Sequence, residues 1–141
     1  MDALDLSTRA PRSPSDRLDG LIMLARTIDK LRATLPGGNL GPYHMRGFSQ
    51  QLLEELGIEE SALRDAVARA SGDDDVVAWV REHTDASRYD DINATLQRRR
   101  VGDRVDDPAF RGKYPILTSL PREMTLIEML DHDDRAMFAK P

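Results

Sequence analysis

An all-α fold is what this sequence predicts, and three observations carry the prediction. Apolar residues recur at helical spacing through most of the chain. Glycines, prolines and capping residues cut that pattern into about six short-to-medium segments. No stretch reads convincingly as a strand: "YPILTSL" has the composition of one, but its flanking prolines leave it an edge at best. A chain of 141 residues suits one domain with one core. The expected architecture is a compact single-domain bundle over 1–141, with an extended N-terminal arm at 1–14 and a Pro-rich segment before the last helix.

The elements follow in order. Residues 1–14 carry two prolines and read as an arm laid across the body through Leu4 and Leu6. Ser15 or Asp16 offers an N-cap for a long helix, "RLDGLIMLARTIDKLRATL", which Gly37-Gly38 should stop. A loop, "GNLGPYHMRG", leads to the short helix "SQQLLEEL", closed by Gly57. In "EESALRDAVARA", Leu63, Ala66, Val67 and Ala70 share a face. "DDDVVAWVREHT" starts with acids, as the helix dipole prefers, and "SRYDDINATLQRRR" has Ser87 and Asp90 at capping-box spacing and ends in arginines. A helical turn from Pro108 and an extended, proline-rich loop follow. Thr125 and Glu128 then open a final helix, "TLIEMLDHDDRAM".

Charges on the first helix separate into two sets. At about 100° per residue with Leu18 at zero, the leucines and isoleucines cover one arc, while Arg26 and Lys30 fall on the opposite face and read as solvated. Arg32, at about 320°, and Asp29, at about 20°, lie along the apolar stripe. A charge there costs several kcal/mol unless paired. Three residues apart, the two can pair with each other, or line a pocket in which Arg32 presents its planar fork to a carboxylate or phosphate. On the fourth helix His83 falls with Trp79 and Val76 and reads as a core histidine. Arg99, beside Ile92 and Leu96, reads as a helix-end arginine.

Composition and motifs mainly exclude. A net charge of −5 argues against nucleic acid as a partner, and the run Arg98-Arg99-Arg100 suits a helix C-terminus. With no cysteine there is no disulfide, thiolate metal site or cysteine nucleophile. The N-terminus lacks the apolar segment of a signal peptide and nothing approaches a membrane span, so a cytoplasmic location is expected. "GGNLGP" lacks the ending of a phosphate loop. In "LDHDDR", Asp131, His132, Asp133 and Asp134 point about 100° apart in succession and read as a solvated acidic end rather than a metal site. Tyr43 and His44 have proton-transfer chemistry, without a motif around them.

The stretch "IDKLRATLPGGNLGPYH" resembles a bacterial family known only as a domain of unknown function. Its sequences run I-D-K-x-R-A-x-L, a Gly/Asn-rich turn, then Y-H. Ile28, Asp29, Lys30, Arg32, Ala33, Leu35, Tyr43 and His44 match that signature. "LLEELGIEESAL", "DDDVVAWV", "LDLSTRAPRSP" and "TLIEMLDHDDRA" extend the likeness over most of the chain, whereas "MRGFSQQLLEEL" departs from a stretch richer in aromatics. The resemblance implies a common small fold and no reaction.

Two readings follow. The first is a small, soluble, non-enzymatic binding or interaction domain. The second is an enzyme or small-molecule sensor that binds an anionic metabolite at the C-terminal end of the first long helix, through Asp29, Arg32, Tyr43 and His44. No catalytic residue is assigned, no metal or cofactor is expected, and the partner is a small anionic ligand or a protein.

Overall fold

The computed structural model describes residues 1–139 and is mostly helical. The last two residues of the expected domain lie outside it. Among the described residues eight α-helices, rather than about six, are joined by turns and two 3-10 segments, with isolated bridges but no strand. The helices are α1 (Leu24–Ala33), α2 (Phe48–Leu56), α3 (Glu60–Arg69), α4 (Asp73–His83), α5 (Tyr89–Leu96), α6 (Val101–Arg104), α7 (Pro108–Lys113) and α8 (Leu126–Met137). The extra ones are α6, directly after the arginine run, and α7, the helical turn expected from Pro108, which Asp107 caps through the Ala109 N–H; "PILTS", expected as extended loop, coils into a 3-10 segment at Pro115–Ser119.

The first helix is shorter than its periodicity suggests, at both ends. Residues 14–23 form a tight turn in which Leu18 and Leu21 exchange N–H···O bonds of 3.0 Å. Asp19, Gly20 and Met23 all take positive φ there. Asn93 of α5 pins the turn, accepting from the Ile22 N–H at 3.0 Å and donating to the Gly20 carbonyl at 2.7 Å. Leu18, Leu21 and Ile22 join the core through this fold-back, not through a helix stripe. The C-terminal stop falls at Ala33, where Thr34 donates to the Leu31 carbonyl, ahead of the two glycines. Gly38 serves the returning chain instead: a Cβ there would stand 2.5 Å from the Ala33 carbonyl oxygen.

Helix α1 is the hub, packed on α2 and α3, and nine of its ten residues are buried. The expectation that Arg26 and Lys30 face water is therefore corrected: they are 2% and 6% exposed. What covers them is α2 and α8, which close over the face opposite the leucine stripe. Asp29 is buried as expected, but its partner is not mainly Arg32, which stands 4.0 Å away. Arg12 binds Asp29 through its backbone N–H at 2.8 Å and its guanidinium at 3.1 Å, and reaches Asp73 of α4 at 2.6 Å. The N-terminal residues are thereby tied to two helices, with Leu4 and Leu6 buried against Ala33 and Leu40 and bonded to Asn39.

This arrangement separates two substitutions. Asp29→Asn leaves the Arg12 guanidinium without its buried partner and is expected to cost about 1–3 kcal/mol. Arg32, half-buried and bonded to the Asp2 carbonyl, should tolerate Arg32→Met within about 0.5 kcal/mol. Thermal melts compare them directly; equal losses would remove Asp29 as the anchor.

Helices α2 to α5 complete the main core with Leu52, Leu63, Val67, Val76, Val80, Ile92 and Leu96. Gly57 ends α2 with φ +73°, as its position in the sequence predicts. Three finer expectations are corrected. Asp85, not Ser87, provides the cap before α5, because a 3-10 turn at Ala86–Arg88 precedes the helix. His83 is exposed and stacks on Trp79 at 4.1 Å instead of entering the core. Helix α5 ends at Leu96, so Arg98 to Arg100 lie beyond it, and Arg99 and Arg100 join the start of α8 by backbone pairing.

A second, smaller core gathers Val101, Leu117, Leu126, Met129 and Leu130, and Phe48 packs against both cores. Thr125 caps α8 by accepting from the Glu128 N–H at 3.1 Å, as the sequence predicts. The acidic run on α8 is not a solvated end. Asp134 is buried, Asp131 accepts from Ser13 and Asp133 is half-buried. None of the described helices is long and apolar enough to cross a membrane.

Candidate functional site

Between the two cores lies a cleft of about 730 Å³, within the range of small-molecule sites. Its walls come from α1, the loop 42–47, α2, α7 and α8, with Arg99 and Arg104 at its edge. Met23, Phe48, Leu126, Met129 and Phe110 supply apolar surface.

Arg26 and Tyr43 line its rigid end, and Asp134 of α8 holds both from behind. The guanidinium donates through both terminal nitrogens to the two carboxylate oxygens, at 2.7 and 3.0 Å, and both side chains are almost fully buried. The Tyr43 hydroxyl donates to the same carboxylate at 2.8 Å, and the Arg26 guanidinium lies 5.4 Å from the Tyr43 ring centre. Burial and the adjoining carboxylate raise the Tyr43 phenol well above its ordinary value, so it stays a donor. Asp133 next to it is pushed up, first by burial and then by Asp134.

Lys30 is one turn further along α1. Among the described residues its Nζ has one hydrogen-bond partner, Ser49 Oγ at 3.2 Å, and no carboxylate within ion-pair distance. Burial, reinforced by the Arg26 charge, brings its ammonium down from 10.5 to about 7. The His44 imidazole is also lowered, by burial and by Lys113 and Lys30.

Charge in the cleft runs against the chain as a whole. Among the described residues Lys30, Arg46, Arg99 and Lys113 line it with no carboxylate in ion-pair reach. Two of the four lining acids are paired, Glu55 with Arg88 and Asp107 with Arg104, while Glu54 accepts from Gln50 and Asp133 has no ion-pair partner among the described residues. No group of three or more His, Asp or Glu side chains among the described residues is placed to hold a metal ion.

The four residues expected to form a site are divided. Tyr43 and His44 line this cleft. Asp29 and Arg32 line a separate hollow of about 280 Å³ with Leu4 and residues 9–12. The cause is helical geometry: Asp29 and Arg32 lie on the side of α1 that meets the N-terminal residues, and Arg26 and Lys30 on the side that meets the loop. Sequence reasoning missed these last two. Met23, Arg26, Thr27 and Lys30 follow i, i+3, i+4, i+7 spacing, so Met23 marks that face as covered. Asp134 has a similar signal, four residues beyond Leu130 and seven beyond Ile127 on the apolar stripe of α8.

Fold and cleft together define a small all-α protein whose cation-lined cavity meets a buried lysine and a buried Arg–Asp pair that a half-buried tyrosine completes. A family model described as Domain of unknown function (DUF5069) matches residues 8–136. The chain belongs to that family. None of the curated proteins compared with it matches.

Proposed function

We propose that this protein binds a small anionic molecule in the cleft, with Tyr43 and His44 on one wall and Lys30, Arg46, Arg99 and Lys113 supplying charge. One observation carries the reading: four cations with no carboxylate partner among the described residues converge on a cavity of ligand size in a chain of net charge −5. Cations left unpaired around a concave, partly apolar surface repel one another, and an anion relieves that repulsion while gaining charge-assisted hydrogen bonds. The Arg26–Asp134–Tyr43 group then serves as the rigid back wall. Asp29 and Arg32 stay outside the ligand contacts and hold the N-terminal residues. A cytoplasmic setting in a bacterial cell belongs to the same reading.

The test is thermal unfolding with malonate, phosphate and citrate, for the wild type and for the Arg99→Gln/Lys113→Gln double variant. Saturating one of these anions at about a hundred times its Kd is expected to stabilise the wild type by about 2.7 kcal/mol. The variant should lose most of that gain. An unmoved wild type, or an equal shift in the variant, overturns the proposal.

A further inference from the structure

We propose that Lys30 is a nucleophile, and that its amine condenses with the carbonyl carbon of a small 2-oxo acid held in the cleft to form an imine. This rests on the anion-binding reading and adds a covalent step to it.

Four observations carry the inference. First, residue choice: of the twenty basic residues three are lysines (Lys30, Lys113 and Lys140), yet one of these three occupies the buried face of α1. Every ion pair among the described residues is made by an arginine. An arginine is always protonated, whereas a lysine can lose its proton and offer a lone pair. Second, placement: Lys30 is covered by protein over nearly all its surface and still lines the cavity, so a ligand reaches its amine while bulk water largely does not. Third, partners: the Ser49 hydroxyl orients the Nζ without neutralising it, and Arg26 stands beside it on α1. A lysine desolvated next to another cation is an activated amine, consistent with the lowering to about 7. Fourth, company: Lys113 and Arg46 can receive a carboxylate, and His44 and Asp133 are proton carriers in the same cleft.

The chemistry balances without an oxidant or reductant. The neutral Nζ lone pair forms a C–N bond to the carbonyl carbon. The C=O π pair moves to oxygen, which takes the proton that nitrogen sheds, giving a carbinolamine. His44 or Asp133, in its acid form, then protonates that hydroxyl. The C–O bond breaks, water leaves, and the nitrogen lone pair closes the C=N bond. Amine, 2-oxo acid and one proton become a protonated imine and water. An adjoining carboxylate makes the carbonyl more electrophilic and gives the cations a handle, which favours a 2-oxo acid over a simple ketone.

The test uses the full chain, pyruvate as probe and sodium borohydride to reduce any imine, followed by intact mass and peptide mapping. The expected result is one three-carbon adduct per chain, on Lys30 in preference to Lys113, Lys140 and the N-terminus, and absent at position 30 in Lys30→Arg. Modification confined to the other amines, or none, overturns the inference. Malonate, which has no ketone, separates the two proposals. A malonate shift without a Lys30 adduct removes the imine and leaves anion binding standing. No thermal shift with either acid and no adduct removes both.

Discussion

Asp134→Asn is expected to lower the melting temperature by roughly 10 °C, corresponding to about 3–5 kcal/mol for breaking a buried ion pair in a chain of this size. Arg26 and Asp134 are 2% and 7% exposed and meet through two parallel hydrogen bonds, with Tyr43 making a third. Asparagine keeps the shape but replaces one accepting oxygen with a donating NH₂. Arg26 is then left charged with almost no exposure to water. The loss comes from stranding the partner, so the pair itself need contribute little. That distinction has its own check: the double variant Arg26→Met/Asp134→Leu should recover much of the stability that either single change loses, because both desolvation costs vanish together. Tyr43→Phe removes the third hydrogen bond and leaves the ion pair intact; it should cost about 1–2 kcal/mol. A melting temperature for Asp134→Asn within about 2 °C of the wild type would show that Arg26 finds other partners, and the cleft would lose its rigid wall.

The architecture was readable where local chemistry decides it. Gly57 takes the left-handed conformation that ends α2, Thr125 and Glu128 cap α8, and the α3 face of Leu63, Ala66, Val67 and Ala70 is buried as its spacing predicts. Reading failed where tertiary structure overrides periodicity. Leu18, Leu21 and Ile22 have helical spacing, but Leu21 and Ile22 are buried through a turn that Asn93, more than seventy residues later, holds in place. Gly20, in the first turn of the expected helix, is the local warning. Longer-range pairings had no sequence signature at all. Nothing in "RAPRSP" announces that Arg12 will bridge Asp29 and Asp73, and Tyr43 meets Asp134 across ninety-one positions.

The site was half legible for a related reason. A single-stripe view of α1 assumes that one face meets protein and the other meets water. A central helix violates that assumption, and polar residues on its second face become interior charges instead of solvated ones. The run Leu21 to Ala25 is five apolar residues in succession, more than one stripe can hold, and implies burial on every side. With that inference the misplaced charges would have been Arg26 and Lys30 as well as Asp29 and Arg32, and the loop residues Tyr43 and His44 would have pointed to the side of the helix that the cleft occupies.

Lys30→Met is expected to stabilise the protein, and to do so in a pH-dependent way that identifies the cause. Folding takes the Lys30 ammonium out of water and sets it beside Arg26, so its proton is held less tightly in the native state, down to about 7 from 10.5. Between these two values the unfolded chain binds more protons than the folded one, and stability rises with pH. Below about pH 7 the native protein carries the full cost of a buried cation, at most roughly 5 kcal/mol at about 1.4 kcal/mol per pH unit. Above the unfolded value the cost is gone. Methionine fills similar volume without charge, and Ser49 keeps the Thr27 hydroxyl at 3.0 Å as a neighbour, so no buried polar group is orphaned. Denaturant unfolding of wild type and variant should therefore differ by several kcal/mol at about pH 6 and converge as pH approaches about 10. A variant less stable than the wild type at the lower pH, or a gap that ignores pH, would mean that Lys30 enters the fold at no cost. If the gap appears, the protein keeps at its cleft a residue that weakens it at every pH where the amine is charged. Packing alone gives no reason to retain such a residue, whereas a reactive amine facing a bound ligand does.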